Sequence, residues 1–133
     1  EVLYDGIRET LHALHDADWM LAVATGKSHR GLTATLATNG LAKLFTSLQT
    51  ADGHPSKPHP AMLEAALGDA GVAPADAVMI GDTSFDMEMA QAAGVRAIGV
   101  AWGYHEPREL LDAGASAVAE TAQQLGDLIR GTN

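Results

Sequence analysis

Five residues in three separate segments carry the groups that a phosphoryl-transfer site needs. Thr25 has a hydroxyl and Gly26 a backbone N–H, and both could donate hydrogen bonds to phosphate oxygens. Lys57, in the segment SKPHP, supplies a fixed positive charge. Asp82 and Asp86, in the segment GDTSFD, supply two carboxylates. Because phosphoryl transfer is stabilised by such donors, by a cation and usually by a divalent metal, the combination predicts a phosphate site.

The two aspartates are spaced for a shared metal ion. Asp82 and Asp86 are four positions apart across a predicted strand-to-helix turn, so both carboxylates could face one hard cation. Mg²⁺ is the cation expected, because it accepts a few carboxylates and keeps several waters. Each residue also has a structural explanation: Thr25 as a helix cap, Lys57 as an exposed lysine, the aspartates as turn residues. The prediction therefore depends on their meeting in one place.

A nucleotide-binding loop is excluded, although TGKS at Thr25 looks like the end of one. That motif needs a glycine five positions before the Gly-Lys pair, where the backbone curls around a phosphate. Leu21 occupies that position here. The pattern instead predicts a strand followed by a helix that Ser28 caps.

Strand and helix patterns alternate along the whole chain, and this predicts an α/β fold with a parallel sheet in a three-layer, Rossmann-like arrangement. The predicted helices cover residues 7–15, 28–39, 60–69, 84–93, 106–112 and 121–130. The predicted strands cover residues 20–24, 46–50, 77–80, 96–100 and 117–118, and those at 20–24 and 77–80 are expected to be buried. In such sheets the chemistry collects where strands end and loops begin.

Composition limits the class of protein. The chain has 133 residues, a net charge of −9 and no cysteine. The negative charge argues against a nucleic-acid surface, and no apolar stretch has the length of a membrane span. The absence of cysteine, and of a basic region near Glu1 and Asp5 where a secretory signal would carry one, predicts a cytoplasmic protein.

In order and spacing, these segments resemble the haloacid dehalogenase superfamily, and within it the phosphatases of the phosphoglycolate phosphatase type. TGK resembles the second motif of that family, SKPHP the third and GDTSFD the fourth. The resemblance extends through nearly the whole chain, from LYDGIRETLHAL near the start to AAGVRAIGVAWGYH after the fourth motif. It implies a core of the same superfamily fold.

The resemblance implies a role for each matched residue. Thr25, assisted by the Gly26 backbone, would bind the transferring phosphoryl oxygens, and Lys57 would neutralise the phosphate. Asp82 would coordinate Mg²⁺, directly or through water, and Asp86 would support that metal site. Thr25, Lys57 and Asp82 are therefore the predicted catalytic residues.

Neighbouring residues receive simpler predictions. Thr83 is expected to cap the helix that follows it. The three histidines His54, His59 and His105 are expected to be exposed to solvent, because the sequence names no partner for them. Trp102 and Tyr104 could line a substrate path or pack beneath a loop, and both interpretations stay open.

One part of the family pattern is missing from this chain. Members carry a nucleophilic aspartate in an Asp-x-Asp-x-Thr motif after their first strand, and no such motif occurs here. Asp5 is rejected as the nucleophile because Ile7 follows Gly6 and no apolar strand precedes it. The resemblance implies that residues 1–133 form a single partial core domain, the portion after the cap domain, with the cap absent.

The resemblance implies that the missing first strand is central in the sheet, between the strands that end at Thr25 and Asp82. Without it, two apolar edges would be unpaired, and such edges invite association. We expect the edges to close together or to take a partner, which includes self-association of the chain.

The predicted parent protein is a Mg²⁺-dependent phosphatase of small phosphorylated metabolites that works through a phosphoaspartate. The segment alone is expected to be inactive, and the substrate stays open because the cap selects it. One alternative is a phosphomutase of the same superfamily. Another is a non-catalytic, receiver-like or degenerate module that binds phosphate or metal. A dehalogenase is disfavoured because it needs no metal.

Overall fold

The computed structural model describes residues 4–103 and 105–131, and its elements follow the predicted order. The helices are α1 (Ile7–Asp16), α2 (His29–Thr38), α3 (Ala61–Ala70), α4 (Ser84–Ala93), α5 (Pro107–Asp112) and α6 (Ala122–Arg130). The strands are β1 (Leu21–Ala24), β2 (Phe45–Gln49), β3 (Val78–Gly81), β4 (Arg96–Val100) and β5 (Ala117–Ala119). A short 3-10 helix, Pro74–Asp76, was not predicted.

Helix ends lie where the capping residues stand in the sequence. The Ser28 hydroxyl accepts a hydrogen bond from the Gly31 N–H at 3.1 Å and so caps α2, as predicted. At the C-terminal end of α4, Gly94 adopts a φ of 74°, a left-handed conformation that glycine takes without steric strain. Gly71 ends α3 in the same way, with a φ of 66°. These local signals explain why the predicted helix bounds agree with the structure.

The strands form two parallel sheets. One has the order β1-β2 and the other the order β3-β4-β5. Every pairing is parallel, so the predicted α/β fold with parallel strands is confirmed. Within the described residues β1 and β3 do not pair with each other. The expectation that these two edges close together is therefore not met, and the interruption falls where the missing central strand was expected.

Burial of the strands follows from this interruption. Four of the five residues of β4 are buried, because β4 has a neighbour on each side. In β1 no residue is buried, and in β3 only Met79 is. The prediction of two buried strands at 20–24 and 77–80 was thus wrong in degree. Each has a partner on one side only among the described residues.

The apolar interior is divided between the two faces of the sheets. One buried cluster joins α3, α4 and α5 to β3 and β4, and its members Met62, Met87 and Met89 are fully buried. A second cluster joins α1 and α6 to β4 and β5. A third lies between α2 and β1. The layers are therefore helices, strands and helices, as a doubly covered parallel sheet requires.

Two adjacent leucines in α5 provide a test of this packing. Leu110 is fully buried, whereas Leu111 is 46% exposed. We expect Leu110→Ala to lower the free energy of unfolding by about 2–5 kcal/mol, because it leaves a cavity in the core. Leu111→Ala should change it by less than about 0.5 kcal/mol. Urea denaturation of both variants measures the difference, and equal losses would contradict the assigned core.

Candidate active site

Thr25 stands in the turn that follows β1. Its N–H donates to the Gln49 carbonyl at 3.0 Å, so the turn is joined to the end of β2. Its hydroxyl accepts the Lys27 N–H at 3.2 Å. A Cβ added at Gly26 would meet nothing within 4 Å, so there is open space beside that backbone. The hydroxyl and the Gly26 backbone are thus at the rim where parallel strands end.

Lys57 and Asp86 form an ion pair that joins a loop to the start of a helix distant in sequence. The Lys57 Nζ donates to the Asp86 Oδ1 at 2.5 Å. The side chains are 20% and 7% exposed, respectively. Lys57 lies in the loop that follows β2, and Asp86 lies in the first turn of α4, which follows β3. The pair therefore connects the loop that follows β2 to the start of α4, four residues after Asp82 in sequence.

The second oxygen of Asp86 is used by the start of α4. Asp86 Oδ2 accepts hydrogen bonds from the Thr83 hydroxyl at 3.1 Å and from the Thr83 N–H at 3.3 Å. In return the Thr83 hydroxyl accepts the Asp86 N–H at 3.2 Å, which completes a capping box. The prediction that Thr83 caps this helix is confirmed. Because both Asp86 oxygens have protein partners, the structure uses Asp86 to hold Lys57 and the helix start.

Glycine 81, the last residue of β3, makes this arrangement sterically feasible. A Cβ added at Gly81 would lie 2.3 Å from the Asp86 Cβ, far inside contact distance. Only a residue without a side chain lets α4 begin so close to the strand end. The Gly-Asp start of the GDTSFD segment therefore has a packing reason as well as a chemical one.

Asp82 is covered by the loop that follows β4. A Cβ added at Gly103 would lie 2.3 Å from both the Cβ and the Oδ2 of Asp82. The Gly103 backbone therefore packs directly against this carboxylate and restricts its position. Sequence reasoning missed Gly103, because a single glycine in a loop gives no indication of which distant residue it contacts.

His105 belongs to the same loop and is half-buried. Its Nδ1 accepts a hydrogen bond at 3.0 Å from the N–H of Ser84, the first residue of α4. The ring also lies edge-on to Phe85, with 6.0 Å between ring centroids, and Phe85 is 50% exposed. The expectation that His105 would be exposed without a partner was wrong. The histidine fixes the loop after β4 against the start of α4.

The other two histidines differ from each other. His54 is half-buried and its Nε2 lies 2.7 Å from the Gln49 Oε1, so its expected exposure was also wrong. His59 is exposed, as expected, and its Nδ1 accepts the Ala61 N–H at 3.1 Å. Both are part of the loop that carries Lys57, and their contacts help to order it.

Trp102 packs against other apolar and aromatic side chains. The ring of Trp102 stacks on that of Tyr4, with centroids 4.2 Å apart and planes within 4° of parallel. Trp102 also packs against the buried cluster of α1 and α6. Packing, one of the two interpretations left open, is therefore its role here. Tyr104 lies outside the described residues.

The residues at the rim supply an incomplete donor set for a metal ion. No group of three or more His, Cys, Asp or Glu side chains converges anywhere in residues 4–103 and 105–131. Asp82 offers a hard carboxylate, while Asp86 is bound to Lys57 and Thr83. Mg²⁺ is commonly held by one or two carboxylates together with substrate phosphate and water. Asp82 thus fits such an ion as one ligand among several.

The fold and the rim together define a hydrolase class. A profile of the haloacid dehalogenase-like hydrolase family matches residues 2–100, and the chain belongs to this family. Phosphatases of this family are generally metal-dependent. The resemblance stated from the sequence motifs is thereby confirmed. No helix in the described part of the chain is long and apolar enough to cross a membrane.

Individual relatives are named as phosphatases. The chain is 36% identical over 126 residues to a protein of Dickeya dadantii named probable phosphatase IndB, covering 93% of this chain and 54% of the relative. It is 30% identical over 128 residues to a phosphoglycolate phosphatase of Vibrio vulnificus, covering 96% and 56%. The chain therefore spans about half the length of these relatives.

Solved structures share the fold at similar identity. A protein of Clostridium acetobutylicum, described as a predicted phosphatase, superimposes with a TM-score of 0.88 at 30% identity, covering 96% of this chain and 60% of that one. A Thermotoga maritima protein, described as a candidate beta-phosphoglucomutase, superimposes with a TM-score of 0.87 at 28% identity, covering 96% and 60%.

The ion pair at the rim can be tested by a double-mutant cycle. Lys57→Met leaves the Asp86 carboxylate buried without its cation, so we expect a loss of about 3–5 kcal/mol in the free energy of unfolding. The double variant Lys57→Met/Asp86→Asn should lose much less free energy of unfolding than the sum of the losses in the two single variants. The reason is that both substitutions remove the same interaction.

The exposed pair Arg108 and Asp112, 85% and 70% exposed, is the control. Its coupling should be about 0.3–0.5 kcal/mol, since solvent screens exposed helical pairs. Chemical denaturation measures both cycles. Additive effects at Lys57 and Asp86 would show that the pair does not form in solution.

Proposed function

We propose that this chain is the phosphate-binding part of a Mg²⁺-dependent phosphatase that acts on a small phosphomonoester. The observation that carries the proposal is the Lys57–Asp86 pair, which joins an ammonium group to the segment that also contains Asp82. The Thr25 turn is bonded to the end of β2, the strand that precedes the Lys57 loop, and this supports a shared site. The names of the Dickeya and Vibrio relatives support the same class of reaction.

Each residue of the rim has a chemical task in this proposal. The Thr25 hydroxyl and the Gly26 N–H donate to phosphoryl oxygens, and the Lys57 ammonium offsets their negative charge. Asp86 positions that ammonium. Asp82 is one ligand of the metal ion, which would supply further neutralisation of the phosphate. Local cations are needed because the chain as a whole has a net charge of −9 and would repel an anionic substrate.

The attacking group is assigned to a segment outside this chain. An aspartate of the parent protein would take the phosphoryl group from the substrate oxygen, and water would then hydrolyse the phosphoaspartate. This chain supplies the binding side of that reaction, and the parent protein is proposed to be cytoplasmic. The cap domain and the substrate it selects are likewise assigned to the parent protein.

The first prediction of this proposal is that the chain alone does not turn over substrate. With p-nitrophenyl phosphate and Mg²⁺, the purified chain should release no more nitrophenol than a blank without protein, because it lacks the nucleophile. The full-length Dickeya relative is the positive control. Mg²⁺-dependent release that Asp82→Asn abolishes would contradict the assigned division of labour.

Ligand binding by the chain is the second prediction. We expect Lys57→Met to weaken binding of orthophosphate at least tenfold in calorimetric titrations, because the phosphate loses its fixed cation. Asp82→Asn should instead weaken binding of Mg²⁺. Lys43→Met, at an exposed lysine away from the rim, should leave both unchanged. Retained phosphate binding in Lys57→Met would overturn the proposed clamp, and covalent labelling of Asp82 by acetyl phosphate would favour a receiver-like module.

The position of Asp82 gives a third prediction. Gly103→Ala would push a methyl group against the Asp82 carboxylate. We expect about a 10–100-fold loss of Mg²⁺ affinity, the usual effect of disturbing a group that orients a ligand. Gly53→Ala is the matched control, because a Cβ there meets nothing within 4 Å. Equal Mg²⁺ affinities in the two variants would show that Gly103 does not position Asp82.

A phosphomutase is the second candidate function, favoured by the superposition on the Thermotoga maritima protein. The two reactions differ in the acceptor, which is water in a phosphatase and a substrate hydroxyl in a mutase. Release of inorganic phosphate by the full-length parent protein, rather than an isomeric phosphate ester, separates them.

A further inference from the structure

The side chain of Asp52 joins the turn after β1 to the loop between β2 and α3, which carries Lys57 and is named the Lys57 loop. Asp52 Oδ2 accepts a hydrogen bond at 2.8 Å from the N–H of His29, the first residue of α2. We propose that Asp52 is a positioning residue that holds the turn of Thr25 and Gly26 and the Lys57 loop in the relative position that phosphate binding requires. This inference rests on the proposed function and adds to it a residue that acts through others.

A tight turn at the end of β2 fixes the direction of Asp52. The Gly53 N–H donates to the Thr50 carbonyl at 3.3 Å, and the Asp52 N–H donates to the Thr50 hydroxyl at 3.4 Å. Thr50 itself is buried, so the turn begins from a fixed point. Aspartate is common in such turns because its short side chain bonds easily to backbone groups. Here its carboxylate bonds to the backbone of a different segment, the start of α2.

Two backbone hydrogen bonds connect the same two segments. The Thr25 N–H donates to the Gln49 carbonyl at 3.0 Å. The Ala51 N–H donates to the Lys27 carbonyl at 3.3 Å. These bonds extend the parallel pairing of β1 and β2 beyond the last residues of the strands. The Asp52 carboxylate makes the next contact along the chain, so it determines how far the two segments stay together after the strands end.

Charge explains why a carboxylate suits this position. Helix α2 has no acidic residue in its first turn, and Arg30 is its second residue. Asp52 brings negative charge to the positive end of the helix dipole from another segment. The Ser28 hydroxyl accepts the Gly31 N–H, so Asp52 satisfies a different N–H group of the helix start. The carboxylate therefore stabilises the beginning of α2 and links it to the Lys57 loop at the same time.

The rest of the Lys57 loop is held by other elements. His54 Nε2 lies 2.7 Å from the Gln49 Oε1. The Gln49 amide nitrogen in turn donates to the Asp69 Oδ2 at 2.8 Å. Further along, Lys57 pairs with Asp86. The loop is thus anchored to β2, α3 and α4, and the carboxylate contact to α2 adds the segment that follows the phosphate-binding turn.

Two simpler interpretations of Asp52 lead to different expectations. If Asp52 only caps α2, its loss should lower stability as the loss of Ser28 does and leave phosphate binding unchanged. If Asp52 acts on the ligand through its charge, its loss should strengthen phosphate binding, because a carboxylate repels an anion. A positioning residue predicts the opposite sign, namely weaker phosphate binding, and recovery when an oxygen acceptor is restored.

The test measures the affinity for orthophosphate by calorimetric titration in three variants. Asp52→Ala removes the acceptor, and we expect about a tenfold loss of affinity because small displacements of binding groups are costly. Asp52→Asn keeps an acceptor oxygen without the charge, so it should bind within about threefold of the original chain. Ser28→Ala removes a cap from the same helix and should bind within about twofold of the original chain.

Hydrogen exchange of single amides tests the contact itself without phosphate. In Asp52→Ala the His29 and Ala51 amides should exchange about tenfold faster, because the two segments separate locally. In Ser28→Ala the Gly31 amide should show the increase instead, while the Ala51 amide keeps its rate. This crossed pattern would identify Asp52 as the link between the two segments and not as a general stabiliser of the fold.

Several outcomes would overturn the proposal. These are an unchanged or higher phosphate affinity in Asp52→Ala, equal losses of affinity in Asp52→Ala and Ser28→Ala, and an unchanged exchange rate of the Ala51 amide in Asp52→Ala. If Asp52→Ala does not fold, Asp52→Ser replaces it, since serine suits a turn and its side chain is shorter. Misfolding of both variants would assign Asp52 to folding instead of positioning.

Failure of this inference differs from failure of the proposed function. If the original chain binds orthophosphate and Asp52→Ala binds it equally well, only the positioning role is lost. If the original chain binds no orthophosphate, the proposed function fails, and the role of Asp52 fails with it.

Discussion

The contact between Lys57 and Asp86 is the interaction on which the candidate site depends. It joins residues 29 positions apart in sequence. Lys57 lies in the loop that follows β2, and Asp86 lies in the first turn of α4, which follows β3 of the other sheet. A buried carboxylate is costly unless it is paired and hydrogen-bonded. Asp86 meets this requirement with the Lys57 ammonium on one oxygen and Thr83 on the other. The position of the cation is thus fixed by the same contacts that start α4.

This arrangement couples the stability of the fold to the chemistry of the rim. Gly81 must lack a side chain so that Asp86 can lie against the strand end, and Gly103 must lack one so that the next loop can cover Asp82. His105 fastens that loop to the first residue of α4. The GDTSFD segment is therefore restrained by the packing at Gly81, by the packing at Gly103 and by the hydrogen bond to His105. Small changes of backbone shape there would move a functional group.

The interrupted sheet explains the features that differ from an ordinary parallel fold. Parallel sheets are normally covered on both faces and hydrogen-bonded on both sides of each inner strand. Here β4 meets that description, while β1 and β3 keep one partner each in the described residues. Their apolar side chains still pack into the helical clusters on both faces of the sheets.

The sequence by itself determined the order of elements and most of their bounds. Caps such as Ser28, Thr83 and Gly94 act over a few residues, so the helix ends that they define can be predicted from the sequence without knowing the fold. The sequence also predicted that Thr25, Lys57 and Asp82 lie in segments that follow parallel strands, because strands and helices alternate along the chain. These features depend on local backbone preferences and on connectivity, which the linear order contains.

Tertiary structure alone decided which side chains meet. It paired Asp86 with Lys57 and Thr83. It also gave His105 and His54 partners that the sequence did not indicate. It also left β1 and β3 half-exposed, although their residues have the composition of buried strands. The physical reason is that pairing and burial depend on neighbours distant in sequence. An apolar run has the same sequence whether a strand pairs with it on one side or on both sides.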